Sequence, residues 1–194
     1  MNISITAEPI FHIGNFAITN SMFSSFVVVV LISLFFVIGS RKLSFIPKGI
    51  QNVIEMGIEA LYNLTESIIK DEKFSRKIFP LIATFFIFIL FNNWSGLIPG
   101  FGTIGFHEVV EGKNVLVPLF RAGTSDLNTT LILGITVVVL TQIFGVAALG
   151  AGKYAKKFFN FSSPIACFVG FLELISEFVR IISFAFRLFG NVFA

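Results

Sequence analysis

The stretch LNTTLILGITVVVLTQIFGVAAL, Leu127–Leu149, runs for 23 residues without one Asp, Glu, Lys or Arg. As a helix rising about 1.5 Å per residue it would be about 35 Å long, enough to cross the ~30 Å hydrocarbon core of a bilayer. The run is too long for a strand. In hydrocarbon each backbone N–H and C=O must also find its partner inside the segment, which a lone apolar stretch achieves only as a helix.

The same test applies outward along the chain. No charged residue lies between Glu8 and Arg41 or between Lys77 and Glu108. Spans are therefore predicted at 22–39, 78–98 and 127–149. Of the 194 residues, 55% are hydrophobic and only 13% charged, against about 45–50% and about 25% in soluble domains. With 27 Phe and a mean hydropathy of +0.91, too little polar surface remains to cover a soluble globule, which excludes an ordinary soluble enzyme.

Between the first two spans, 47–70 reads as an amphipathic helix lying along the membrane surface. Ile50, Ile54, Ile58, Leu61 and Leu64 form its apolar side, and Glu55, Glu59 and Glu66 its acidic one. Pro99 with Gly100, Gly102 and Gly105 ends the second span and opens a loop to about Thr124. No repeat or separate soluble domain interrupts the chain, so 1–194 reads as a single membrane domain.

The net charge of +3 and pI near 9.2 could suggest a nucleic-acid partner, but the placement of the charges excludes one. Ten of the 14 basic residues fall in three clusters beside the spans: Arg41, Lys42 and Lys48; Lys70, Lys73, Arg76 and Lys77; Lys153, Lys156 and Lys157. Only Lys113 and Arg121 lie in the 99–124 loop. Since flanking Lys and Arg mark the cytoplasmic side, the clusters are predicted inside, and that loop and the N-terminus outside.

Several motifs carry nothing. Gly100, Gly102 and Gly105 match the spacing of a dinucleotide loop, but a membrane span precedes them where a strand is required. Lys153 follows a glycine pair, yet Ala147 and Tyr154 break the phosphate-loop pattern. His12 and His107 have no Cys or His neighbours, and the single Cys167 cannot form a disulfide within the chain. No cofactor, metal or catalytic residue is expected.

The last segment, 164–194, is apolar yet carries Glu173, Glu177, Arg180 and Arg187. At about 100° per residue from Glu173, Ser176 falls near 300°, Glu177 near 40°, Arg180 near 340°, Arg187 near 320° and Asn191 near 0°. They form one polar stripe about 27 Å long. Glu177 and Arg180 can pair with each other at i,i+3, whereas Arg187 has no acidic residue after it and none closer on the stripe than Glu177, about 15 Å back. A guanidinium near the bilayer centre costs at least about 2.5–3.5 kcal/mol, so a partner or a water-filled path is expected.

Arg187-Leu188-Phe189-Gly190-Asn191 resembles the signature of subunit a, the membrane stator subunit of F-type ATP synthases. Asn93-Trp94-Ser95-Gly96-Leu97-Ile98-Pro99 and Asp126-Leu127-Asn128-Thr129-Thr130 resemble segments of the same family, in the same order. The resemblance implies an all-α polytopic membrane protein of the bacterial plasma membrane. A long tilted helix would lie beside a rotating c-ring, with the peripheral-stalk subunit b, protons and the lipid bilayer as further partners. It implies that Arg187 separates two proton half-channels and that Glu173, Ser176, Ser183 and Asn191 match positions on the proton path. It also implies a Gly-Glu pair and one more long membrane helix after the motif. This chain stops at Ala194 and so reads as C-terminally truncated. The competing classes are a self-contained ion channel or secondary transporter, which lacks the expected internal repeats, and a purely structural membrane subunit, which leaves Arg187 unexplained.

Overall fold

The computed structural model describes residues 8–14, 16–41, 44–98, 104–110, 113–159 and 163–193. Among them the elements run β1 (Pro9–Ile13), β2 (Phe16–Thr19), α1 (Asn20–Gly39), α2 (Ile50–Ile69), α3 (Glu72–Leu97), β3 (Gly105–Val110), β4 (Lys113–Pro118), a 3-10 turn (Gly123–Ser125), α4 (Leu127–Leu149), α5 (Ala151–Phe158) and α6 (Pro164–Phe193). They divide into two compact units, one of Pro9–Ala122 and one built on Gly123–Ala194.

In the first unit, α1 and α3 are long and apolar enough to cross a membrane, and in the second α4 is. Helix α1 starts at the Thr19 side chain, which accepts from the Met22 N–H at 3.4 Å. Helix α3 starts where Asp71 accepts from the Phe74 N–H at 3.2 Å, six residues before the predicted span. Its first turns carry Glu72, Lys73, Arg76 and Lys77, so hydropathy alone excluded them although the cap and the helix include them. Arg76 and Glu72 pair at 2.7 Å across one turn, both widely exposed.

The predicted surface helix is α2, closed by Lys70 in the left-handed conformation at φ 57°. It leaves Val53, Leu64 and Ile68 exposed. The Gly39 backbone lies against the end of the Ile54 side chain, which would have to shift to admit a larger residue.

The two hairpins were not expected. Strands β1 and β2 pair antiparallel ahead of α1, and β3 and β4 pair from Gly105↔Pro118 to Val110↔Lys113 inside the stretch predicted as a loop. Val109, Val110, Val115 and Val117 favour extended backbone, but the strands are six residues each and too short for an alternation signal to outweigh the glycines nearby. Pro99, Gly100 and Gly102 lie outside the described residues, as does Lys42.

Burial is inverted relative to a soluble protein. In the first unit Asn20, Ser21, Ser24, Ser75 and Asn92 are fully or almost fully enclosed, while Phe26, Leu31 and Val37 are exposed. The enclosed polar groups tie segments together. The Asn20 amide donates to the Pro118 carbonyl at 3.2 Å, the Arg121 N–H to Ser24 Oγ at 3.0 Å, and Ser25 Oγ to Asn92 Oδ1 at 3.1 Å. This is how a chain packs when lipid already solvates its apolar side chains: small and polar residues make the contacts between helices.

The second unit follows the same rule. Asp126 caps α4, accepting from the Asn128 N–H at 3.1 Å. At Gly134 an added Cβ would stand 3.0 Å from the Ile181 carbonyl oxygen, so α4 and α6 meet backbone to backbone. Ala185 is wholly enclosed beside that crossing, and Val138 nearly so. Gly150, at φ 82°, ends α4 and turns the chain into α5, a short basic helix that was not predicted separately. The Tyr154 ring lies against Gly145, and its hydroxyl donates to Gln142 Oε1 at 2.5 Å, which fastens α5 to α4. Helix α6 begins at Ser163, whose Oγ accepts from the Ala166 N–H at 3.1 Å, and runs for 30 residues, about 45 Å.

Candidate functional site

The residues singled out on the last helix all fall on α6, within the second unit. Ala185 and Ile181, which meet α4, lie near 120° and 80° on the helical wheel that places Glu173 at zero. The polar stripe therefore straddles one edge of the packed face. Glu177 sits on the inner side and is 9% exposed, while Ser176, Ser183, Arg187 and Asn191 are exposed.

The inner part of the stripe is an ion-pair cluster. Arg180 Nη1 donates to both Glu177 carboxylate oxygens, at 2.8 and 3.0 Å, the i,i+3 pair predicted from spacing. Glu173 is paired as well, but with a residue of another helix: Lys157 Nζ of α5 stands 2.7 Å from Glu173 Oε1 and 3.7 Å from Glu177 Oε1. The same ammonium lies over the Phe158 ring at 5.3 Å and the Tyr154 ring at 5.8 Å. The hydrogen bond to Glu173 holds the Lys157 ammonium above the usual lysine range despite partial desolvation. It remains protonated at any physiological pH, and what the raised pKa contributes to stability is lost only as the pH climbs beyond that range. Two carboxylates and two cations make the cluster neutral.

Arg187 is different. Among the described residues it makes no hydrogen bond or ion pair, and it stands exposed about 15 Å along the axis from Glu177. Ser183 and Asn191 lie one turn before and one turn after it. Sequence reading found this cation and its isolation, because both follow from a single helix. It missed Lys157 as a partner, reading it only as a marker of membrane side, since the approach of α5 to α6 depends on the fold between them. Among the described residues no cluster of His, Cys, Asp or Glu could hold a metal ion.

Three apolar helices long enough to span a bilayer, followed by a longer helix with a charged stripe, define a multi-pass α-helical membrane protein. The model of the ATP synthase A chain family matches residues 22–194. The chain is 38% identical to the ATP synthase subunit a of Moorella thermoacetica over 184 residues, covering 95% of this chain and 73% of that protein. It is 34% identical to the subunit of that name from Helicobacter pylori strain P12 over 190 residues, 94% of this chain and 74% of the relative. The chain belongs to the family of subunit a of F-type ATP synthases, membrane components of that complex with a general role as stator of its proton channel.

Proposed function

We propose that this chain guides protons past a rotating ring of c subunits, with Arg187 dividing an inner from an outer half-channel. The observation that carries the reading is Arg187 itself, a permanent cation on the exposed side of an otherwise apolar helix turn, without a partner among the described residues. A mobile carboxylate arriving on the ring completes it. The guanidinium favours the ionised form of that carboxylate, so the ring gives up its proton there. The same charge repels a hydronium moving directly between the half-channels.

Glu173 and Ser176, about 21 and 16 Å from Arg187 along α6, line the inner half-channel. Glu173 relays protons and Ser176 holds water. Ser183 and Asn191 flank the guanidinium and orient it or the ring carboxylate. The membrane potential supplies about 2.3 kcal/mol per proton per 100 mV. The subunit makes no phosphate bond itself, and the peripheral-stalk subunit b holds it against the torque of the ring. Isolation of the complex in mild detergent tests the stator reading: a c-ring and stalk proteins co-purify with the subunit, whereas a self-contained transporter runs alone.

The inner side is the cytoplasm of a bacterial cell, and the N-terminus lies outside. The ten-to-two distribution of basic residues between the three clusters and the 99–124 loop supports this orientation. Cysteines introduced at Gly112 and at the exposed Lys153 are expected to react with an impermeant thiol reagent from opposite sides of the membrane. Reaction of both from one side would overturn the topology.

A further inference from the structure

The cluster at the start of α6 holds more than the relay needs. Glu173 is one carboxylate, yet a second lies one turn deeper and is almost enclosed, and a single ammonium from α5 stands within ion-pair reach of both. Glu177 is anchored by two hydrogen bonds from Arg180 and has no role in the proton path described so far. It also lines a recess of about 300 Å³ with Val138 and Gln142 of α4, Phe158 at the end of α5, and Leu174 and Ile181 of α6. The Lys157 side chain is 40% exposed, so it has room to adjust on one side, while Glu177 on the other is held by Arg180.

We propose that Lys157 is a positioning residue of the inner proton path: its ammonium, seated on Glu173 in the structure, has a second seat on Glu177 and moves between them as Glu173 gains and loses its proton. This rests on the reading of Glu173 as the relay. While Glu173 is ionised, the charge-assisted bond at 2.7 Å holds Lys157 there. When a proton binds a Glu173 oxygen, the carboxyl becomes neutral and that bond loses its charge term, whereas the Glu177 carboxylate keeps its two hydrogen bonds from Arg180. Lys157 needs to travel only about 1 Å to bring the 3.7 Å separation to the distance it now has from Glu173. With the ammonium shifted toward Glu177, the Glu173 carboxyl is held less closely by the cation and keeps its proton more readily. When the proton passes to water at the inner mouth, Glu173 is again a carboxylate and Lys157 returns. Lys157 keeps all its own protons throughout.

Among the described residues, the charged and titratable groups that face Glu173 are few. They are Lys157 from α5, with the Tyr154 ring beneath the ammonium, and Glu177 and Arg180 on α6 itself. Among the described residues, helix α4 contributes only the uncharged Val138 and Gln142 to this region. The two seats make opposite predictions for two substitutions. Removing the cation leaves Glu173 harder to ionise, and removing the second seat keeps the cation on Glu173 and makes it easier to ionise.

The test is ATP-driven proton pumping by the assembled complex in inverted membrane vesicles, where the inner side faces the medium. Rates are taken as a ratio to the unsubstituted complex at each external pH, which cancels the pH dependence of the ATP-hydrolysing head. Lys157→Met is expected to move the acid-side midpoint up by about one pH unit. Glu177→Gln is expected to move it down, and Lys157→Arg, which keeps the charge, to leave it within about 0.3 unit. An unmoved midpoint in Lys157→Met, with the complex assembled, overturns the proposal by making Lys157 a structural tether. So does a shift of the same sign in Lys157→Met and Glu177→Gln. Glu173→Gln is the reference: if it pumps with an unchanged profile, the reading of Glu173 as the relay fails, a result distinct from either of these.

Discussion

Replacing Arg187 by lysine is expected to cut coupled proton pumping by more than about tenfold, although the formal charge is kept. A guanidinium stays protonated when poorly solvated, whereas an ammonium moved out of water loses its proton more readily. The geometry differs too. Arginine presents a planar fork that can meet both oxygens of a carboxylate, and lysine offers a point charge on a shorter reach. Arg187 is exposed on α6 and makes no hydrogen bond or ion pair among the described residues, so the lysine variant is expected to assemble normally. Pumping and ATP hydrolysis measured on the same vesicles check this. Near-normal pumping would show that charge alone suffices and that the shape of the guanidinium is immaterial.

The second large effect is structural and lies on the neighbouring helix. Gly134→Leu is expected to prevent stable assembly of the subunit or to lower its thermal stability sharply. A Cβ at this position already stands 3.0 Å from the Ile181 carbonyl oxygen and 3.7 Å from the Ala185 nitrogen, both backbone atoms of α6 that cannot rotate away. A leucine must therefore push α4 and α6 apart, at a cost of about 1–3 kcal/mol or more. The displacement would act on the stretch of α6 that carries Ser183 and Arg187, two residues either side of Ala185. Gly134→Ala tests the gradation and is expected to be milder. Subunit abundance in the membrane and the melting temperature of the purified complex report on both. A leucine variant as abundant and as stable as the parent would contradict the close crossing.

What the chain discloses before folding depends on the distance over which a signal acts. The spans at α1, α3 and α4 were legible because a charge-free run of about 20 residues has few other meanings. The Glu177–Arg180 pair was legible because i,i+3 neighbours on a helix must meet. Arg187 was legible by subtraction, since a single helix supplied no acidic residue to balance it. The hairpins were hidden because four to six residues cannot establish a period. Lys157 was hidden for another reason: it lies 16 residues before Glu173 on a different helix, and their meeting depends on the turn at Gly150 and on Tyr154 docking against Gly145 and Gln142. The close packing at Gly134 was likewise invisible, because a glycine inside an apolar run does not announce which helix it receives.

The most direct test of the account is ATP-driven acidification of sealed vesicles carrying the complex with Arg187→Ala in the intact subunit, with assembly verified by co-isolation of the ring and the stalk. The account predicts no coupled acidification above the background of vesicles without ATP, because nothing then divides the half-channels or draws the ring carboxylate into its ionised form. Near-normal acidification by the alanine variant would contradict it.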